Sequence, residues 1–288
     1  MTIVETTSIG PALDTFTAGQ PVLLVDDDRP DRGADLLLAA EFATAERLAF
    51  LIRHGSGLVC CATDGGRLDA LDLAPMVTTG SGRLDTAFAV SVDYRHGTTT
   101  GISAGDRATT LQALADPATR PSDLLRPGHI FPLRAAAGGV LERKGSTEAA
   151  VDLARLATVS PVVALTQLVG PDGELLTADP ARRFAADHGL AVTTLSDVVG
   201  ERLRTECLVT RLGDIPVSTR YGEFTAYAFR SGTDGTEHVA FVGGDPDGGL
   251  IVYLGRTASG IGQWDALRPS DYHIGAQILA SLESEAQR

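Results

Sequence analysis

The sequence predicts an α+β protein with two unequal domains. From 1 to 206, short apolar runs typical of strands alternate with amphipathic runs typical of helices, which indicates a layered domain with a mixed sheet. From 207 to 288, short strand-like runs are separated by turns rich in Gly and Asp, and a helical run follows them. This second part predicts a small α+β domain.

The elements of the first domain are predicted in order along the chain. Apolar runs indicate strands at 21–25, 57–61, 87–92 and 162–168. Amphipathic spacing indicates helices at 42–53, 109–115, 147–156 and 180–188. Thr147 followed by Glu148 is typical of a helix start, and Ser160-Pro161 is typical of a helix stop.

The second domain has a simpler pattern. Strands are expected at 222–229 and 238–242, with turns at 231–235 and 243–249 and a helix at 271–282.

The composition excludes several classes of function. The formal net charge is −13 and the basic residues are scattered, so no nucleic-acid partner is expected. The absence of any run of about 18 apolar residues predicts no membrane span, and the first twenty residues do not have the pattern of a signal peptide. Cys60, Cys61 and Cys207 have the spacing of neither a disulfide framework nor a metal knuckle. We therefore expect a cytoplasmic protein.

One serine segment has the spacing of a hydrolase nucleophile. Residues 101–105 read Gly-Ile-Ser-Ala-Gly, which matches the nucleophile elbow. That elbow requires an apolar strand directly before it, whereas three threonines, Thr98 to Thr100, precede it here. A tight loop is the favoured interpretation, and the Gly-flanked His54 is interpreted as a turn in the same way.

An acidic run at 26–35 directly follows the first predicted strand. Its carboxylates, among them Asp26, Asp31 and Asp35, could bind Mg²⁺ or act as acid and base. A solvated loop in which Arg29 and Arg32 neutralise their neighbours is an equally good interpretation.

Two basic segments are the remaining candidates. Residues 143–148, Arg-Lys-Gly-Ser-Thr-Glu, place two cations and two hydroxyls at a predicted helix start. Phosphate or another anion suits such a place because backbone N–H groups and the helix dipole are directed towards it. A helix cap with solvated charges is the alternative. Residues 126–129, Arg-Pro-Gly-His, form the second segment.

In this order, the segments resemble the 3,4-dihydroxy-2-butanone 4-phosphate synthase family over 9–204. The likeness is carried by 21–27, 52–57, 99–104, 106–107, 109–110, 121–123 and, most specifically, Arg-Pro-Gly-His-Ile-Phe-Pro-Leu-Arg at 126–134. The resemblance implies an α+β fold and active sites at a homodimer interface. It also implies the conversion of ribulose 5-phosphate to a four-carbon phosphate and formate with Mg²⁺.

The second domain resembles a shortened GTP cyclohydrolase II domain, as found in bifunctional fusion proteins. The likeness is carried by 221–224, 238–240 and 271–279. The zinc-binding cysteines of that family have no counterpart here, so the resemblance predicts no zinc and no GTP hydrolysis.

Several active-site positions differ from the synthase family. In an ungapped alignment, the family's Arg, metal-binding Glu, second Glu and Asp fall on Pro30, Asp31, Gly33 and Asp35. The family's metal-ligating His falls on Ser146, and a late catalytic Glu falls on Gln167. Two Mg²⁺ ions need several anionic or imidazole ligands, so we expect the family's Mg²⁺ pair to be missing, with binding of a single Mg²⁺ left open.

These differences lead to three hypotheses about function. The favoured one is a repurposed lyase, isomerase or cyclase of specialised metabolism, acting on a small anionic or polyoxygenated substrate without the family's Mg²⁺ pair; no cofactor is expected, although Mg²⁺ stays possible. The second is residual synthase activity, and the third is a non-catalytic binding or regulatory protein. The expected catalytic residues are Asp31, His129, Lys144 and Ser146, and the expected substrate-binding residues are Asp26, Asp35, Arg143, Thr147 and Thr100.

Lys144 is notable because it is the single Lys among 24 basic residues. It lies where the synthase family has a Gly beside the metal-ligating His. Two interpretations stay open: chance placement on a solvent-facing turn, or an ammonium group that takes over part of the metal's electrostatic role.

Overall fold

The computed structural model describes residues 9–77, 87–219, 222–232, 235–243 and 250–255, together with positions 274, 277 and 278. The chain divides into two compact units, Met1–Glu201 and Arg202–Arg288. The sequence predicted a boundary at 206. None of the described helices is both long enough and apolar enough to cross a bilayer.

A seven-stranded mixed sheet forms the centre of the first unit. Its strands are β1 (Val22–Val25), β2 (Ala34–Ala39), β3 (Cys60–Thr63), β4 (Val92–Tyr94), β5 (Leu124–Arg134), β6 (Val162–Gln167) and β7 (Ala191–Thr194). They lie side by side in the order β4-β5-β3-β6-β2-β1-β7. The β1–β7 and β3–β5 pairs are parallel, and the other pairs are antiparallel.

The described residues between 9 and 219 form seven α-helices. They are α1 (Gly10–Thr17), α2 (Ala45–His54), α3 (Gly65–Ala70), α4 (Ala104–Ala115), α5 (Ser146–Leu156), α6 (Ala178–His188) and α7 (Leu195–Thr205). The last of these runs across the boundary between the two units. The predicted α+β class with a mixed sheet is confirmed.

The sheet has an apolar core on each face. Alternation along β2 places Leu36 and Leu38 in one core and Leu37 and Ala39 in the other. Residues of α2, α4 and α6 contribute to the first core, and residues of α1 and α5 contribute to the second. Because β1, β2 and β3 are buried along their whole length, their sequences are mostly apolar and do not alternate between apolar and polar residues.

Two predicted elements differ from the observed ones. The strand expected at 87–92 is reduced to isolated pairings at Phe88 and Ala89, and β4 begins only at Val92. The acidic run at 26–35 ends inside β2, so Asp35 lies in a strand and not in a loop. Periodicity does not reveal this because the strand is apolar on both faces beyond the Asp.

The second unit is built on a four-stranded antiparallel sheet. Its strands are β8 (Val209–Thr219), β9 (Gly222–Ser231), β10 (Glu237–Gly243) and β11 (Leu250–Gly255), in the order β11-β10-β9-β8. Val209, Phe229 and Ala240 pack with Ile274 and Ile278 in its core. The turn expected at 243–249 and most of the helix expected at 271–282 lie outside the described residues.

Gly128 permits a close approach between β4 and β5. The register of this pair shifts between Val92 and Asp93. A Cβ atom on Gly128 would lie 2.0 Å from the Val92 carbonyl carbon and 2.2 Å from the Asp93 nitrogen. These neighbours are backbone atoms, which cannot turn aside as a side chain can. The Gly in the Arg-Pro-Gly-His motif is therefore an architectural requirement.

We predict that Gly128→Ala destabilises the first unit. The clash with backbone should cost about 1–3 kcal/mol of unfolding free energy, as overpacking does elsewhere. Gly200→Ala is the matched control, because it lies within α7 and a Cβ there meets nothing within 4 Å. Urea unfolding followed by circular dichroism measures both variants, and equal stabilities would contradict the close approach.

Candidate functional site

A cleft of about 480 Å³ lies where the start of β2 and the end of β6 meet the N-terminus of α5. We call it the α5 cleft. Its polar lining consists mainly of Asp26, Arg29, Arg32, Asp35, Ser56, Cys60, Thr166, Gln167 and the residues from Arg143 to Glu148. Four cationic side chains and several carboxylates therefore share one opening.

The acidic loop contacts the start of α5 directly. The Asp26 carboxylate accepts hydrogen bonds from the Arg29 backbone N–H and from Arg29 Nε, both at 3.0 Å. Arg29 Nη2 then donates to the Lys144 carbonyl oxygen at 3.2 Å. Lys144 Nζ completes the connection by donating to Asp28 Oδ2 at 3.0 Å. Arg29 and Lys144 thus bridge two segments that are distant in sequence.

Asp35 is a buried carboxyl in the wall of this cleft. It lies opposite Gln167 in the antiparallel β2–β6 register. Desolvation raises its pKa to about 6, a hydrogen bond with Ser146 lowers it and the nearby Asp26 charge raises it. The result is a carboxyl group that titrates close to neutral pH.

Arg143 and Thr147 complete the wall of the cleft at the helix start. Arg143 donates to the Arg134 carbonyl oxygen at 3.2 Å and pairs with the buried carboxylate of Glu148. Glu148 also accepts the Ala136 backbone N–H at 2.9 Å, so the guanidinium is held by a fixed partner. Gly145 is the N-cap and has no side chain to cap α5, which leaves the first turn suited to an anion.

A second polar group lies around His129, which does not line the α5 cleft. Asp93 accepts the His129 backbone N–H and contacts His129 Nδ1, both at 2.8 Å. With Nδ1 held by Asp93, Nε2 is the ring nitrogen left for a ligand. Gly101 packs so closely here that a Cβ would meet both the Asp93 carboxylate and the His129 ring.

The threonine loop is held by Asp106. This carboxylate accepts from the Thr99 N–H at 3.1 Å, the Thr99 hydroxyl at 2.7 Å and the Gly101 N–H at 3.0 Å. Ser103 is the N-cap of α4 and accepts the Asp106 N–H at 3.0 Å. The Gly-Ile-Ser-Ala-Gly segment is therefore a capped helix start and not a nucleophile elbow.

The structure separates the expected site residues into two groups. Asp26, Asp35, Arg143, Lys144, Ser146 and Thr147 line the α5 cleft. His129 and Thr100 lie outside this lining. Asp31 also lies outside the cleft lining, because the short 3-10 turn Pro30–Arg32 leaves its side chain exposed.

Sequence reasoning did not assign several residues of the cleft. Cys60, Thr166 and Ser56 reach it from β3, β6 and the turn after α2. Their places follow from the pairing of β6 with both β2 and β3, which brings distant parts of the chain together. The only signal in the sequence was that polar residues end apolar runs. This pattern is too common to identify residues of a functional site.

The family comparisons agree with this fold. The profile of the 3,4-dihydroxy-2-butanone 4-phosphate synthase family matches residues 11–201. The chain is 44% identical over 280 residues to riboflavin biosynthesis protein RibBA of Salinispora arenicola, covering 97% of this chain and 66% of the relative. It is also 44% identical over 278 residues to the bifunctional riboflavin biosynthesis protein RIBA 1 of Arabidopsis thaliana, covering 96% of this chain and 51% of the relative.

Two solved structures are similar as well. RibBX of A. baumannii, a two-domain 3,4-dihydroxy-2-butanone 4-phosphate synthase, matches with a TM-score of 0.81 and 30% identity over 96% of this chain and 91% of that one. A 3,4-dihydroxy-2-butanone 4-phosphate synthase in complex with two magnesium ions matches with a TM-score of 0.66 and 42% identity over 69% of this chain and 98% of that one. The chain belongs to the 3,4-dihydroxy-2-butanone 4-phosphate synthase family.

These relatives correct the favoured functional hypothesis. A repurposed enzyme of specialised metabolism was expected, but relatives similar over nearly the whole chain are named for riboflavin biosynthesis. The inference was wrong because it rested on a few substituted side chains, whereas the similarity to these relatives extends over nearly the whole chain. The comparisons favour the second hypothesis, the synthase reaction.

The residues of the α5 cleft do not fit a pair of magnesium ions. Within the part of the chain that the structure describes, no three His, Cys, Asp or Glu side chains are grouped closely enough to hold a metal ion. Ser146 is instead a hydrogen-bonding partner of Asp35, and Gln167 offers a neutral amide. Mg²⁺ requires hard oxygen ligands, most often carboxylates, in nearly octahedral geometry.

We predict that Asp35→Asn stabilises the protein at neutral pH. Burial raises the pKa of Asp35 in the folded state. The protonated carboxyl therefore contributes to the free energy of unfolding fully below pH 3.8, and this contribution is lost as pH rises through about 6. A neutral amide avoids that loss, so the variant should gain about 1–3 kcal/mol above pH 6 and nothing near pH 4. Urea unfolding at several pH values measures the difference, with the exposed Asp31→Asn as control. A gain that is independent of pH would contradict the assignment.

We also predict that two substitutions create a magnesium site. Ser146→His with Gln167→Glu adds an imidazole and a carboxylate beside Asp35. Mg²⁺ should raise the melting temperature of this variant by a few degrees, whereas the same salt should leave the wild-type protein unchanged. Each single substitution serves as a control. A wild-type protein that is stabilised by Mg²⁺ as strongly as the variant would show that its own residues already suffice.

Proposed function

We propose that the protein catalyses the synthase reaction of riboflavin biosynthesis. In this reaction, ribulose 5-phosphate is divided into 3,4-dihydroxy-2-butanone 4-phosphate and formate, which together contain all of its atoms. The observation that carries the proposal is membership of the synthase family over residues 11–201, together with relatives named for riboflavin biosynthesis. The proposal concerns the first unit, which contains the α5 cleft.

The cleft supplies groups suited to a phosphorylated ketose. Arg32, Arg143 and the first turn of α5 offer cationic and N–H donors for the phosphate. Asp35, with a pKa of about 6, is mostly ionised at neutral pH and can accept a proton from a substrate carbon or hydroxyl. The Ser146 hydroxyl orients the Asp35 carboxyl by hydrogen bonding to it.

A homodimer is part of the proposal. His129 and Thr100 lie outside the α5 cleft of their own chain, yet they resemble active-site segments of a family whose sites form between subunits. The Asp93–His129 pair would face the cleft of the partner subunit and donate or accept a proton through Nε2. Dimerisation would thereby bring together two groups of residues that lie apart within one chain.

We further propose that the reaction proceeds without zinc or the family's magnesium pair, in the cytoplasm. The three cysteines are free thiols, which suits a reducing compartment. Cys60 and Cys61 are buried in β3, and burial raises the pKa of the Cys60 thiol to about 12, which disfavours the thiolate that zinc needs. GTP cyclohydrolase activity is therefore not part of the proposed function.

Formate release tests the proposal directly. Purified protein is incubated with ribulose 5-phosphate, with EDTA in one series and Mg²⁺ in another, and formate is measured with formate dehydrogenase. We expect formate in both series and a loss of about 10²–10⁴-fold in Asp35→Asn, as for removal of an acid–base group. Asp31→Asn, outside the cleft, should retain the wild-type rate.

Absence of formate in both series would overturn the catalytic proposal. If ribulose 5-phosphate still binds by calorimetry, the protein would be a binding or regulatory member of the pathway. That alternative is favoured by one observation, the neutral Ser146 and Gln167 at positions where the family has a metal ligand and a catalytic Glu.

A further inference from the structure

We propose that Arg29 and Lys144 form a protein-only clasp that holds the acidic loop against the start of α5. In this chain, the clasp performs the positioning that a shared metal ion would otherwise perform. The contact between the acidic loop and α5 then needs no divalent cation. The inference rests on the proposed function only in taking this cleft as the active site.

The clasp is defined by contacts on both sides of the cleft. On the loop side, Asp26 holds Arg29 through the backbone N–H and the guanidinium. On the helix side, Lys144 makes two hydrogen bonds. Its carbonyl oxygen accepts from Arg29, and its ammonium group donates to Asp28. A main-chain carbonyl and a side-chain ammonium of one residue are thus tied to neighbouring residues of one loop. Two independent bonds restrict that residue more than a single exposed ion pair does.

Three carboxylates of the loop, and Asp35 beyond it, have protein partners. Asp26 accepts from Arg29, and Asp28 accepts from Lys144. Asp27 accepts the Ser196 N–H at 3.2 Å, and Asp35 is bonded to Ser146. A cation entering here would have to displace these bonds, and each displaced donor would lose its partner.

The charge balance supports the same conclusion. Five carboxylates lie between 26 and 35, and Arg29, Arg32 and Lys144 line the cleft beside them, whereas Arg143 is paired with Glu148. Mg²⁺ binds through carboxylate oxygens whose charge the ion neutralises. Here Arg29 neutralises Asp26 and Lys144 neutralises Asp28 without an ion.

The single Lys of the chain makes the clasp measurable. Lysyl endopeptidase cuts after Lys, so an untagged chain has one cleavable bond, between Lys144 and Gly145. The carbonyl of that bond is the one that Arg29 holds. Cleavage requires this segment to open and enter the protease, so its rate reports the opening of the clasp. The products, 1–144 and 145–288, are separated by mass spectrometry.

We expect the wild-type chain to be cut slowly, at the same rate in EDTA and in Mg²⁺. Asp28→Asn should speed cleavage by roughly two- to fivefold, as expected for one exposed ion pair. Arg29→Gln should speed it by about tenfold, because it removes both the Asp26 contact and the carbonyl contact. The matched controls, Asp31→Asn and Arg32→Gln, make the same charge changes in the same loop and should leave the rate unchanged.

Two results would overturn the clasp. One is protection of the wild-type chain by Mg²⁺, with a lysine peptide in the same tube showing that the protease itself is unaffected. The other is that neither clasp variant differs from its control in cleavage rate. In that case Asp28→Asn would be cut as fast as Asp31→Asn, and Arg29→Gln as fast as Arg32→Gln. Melting curves confirm that each variant is folded. The assay contains no sugar phosphate, so its outcome is independent of whether formate is released.

Discussion

The antiparallel pairing of β2 with β6 at the centre of the sheet is the constraint on which the site depends. It places Asp35 opposite Gln167 and aligns the polar ends of two otherwise apolar strands. Both faces of the sheet are covered by apolar cores, and the polar ends of these two strands line the cleft. The N-terminus of α5 lies beside them and closes one wall of the cleft.

The buried Asp35 shows that this arrangement is costly to stability. A carboxyl that burial pushes towards a pKa of about 6 is an ion held in a poor solvent at neutral pH. Proteins retain such groups chiefly where a reaction needs a base that titrates near the working pH. The same desolvation that destabilises the fold brings the pKa of this carboxyl close to neutral pH.

This chain keeps the fold of its family although residues at positions that resemble the family's metal ligands differ. The Arg-Pro-Gly-His segment persists for reasons that are mostly architectural, since Arg126 donates to the Leu71 and Pro121 carbonyls and Gly128 admits neighbouring backbone. Ser146 falls on the family's metal-ligating His, and Lys144 falls on the Gly beside it. The chain nevertheless keeps the family fold.

The sequence by itself determined the fold class, the family and the helices α2, α4, α5 and α6, together with strands such as β1, β3 and β6, because apolar periodicity and local turn residues are short-range signals. It also singled out Lys144 and the two segments that flank the cleft. Only the tertiary structure decided that Asp35 is buried in a strand, that Asp31 lies outside the cleft and that His129 belongs to a second group. Those facts depend on strand order and register, which bring together residues more than a hundred positions apart and leave no local trace.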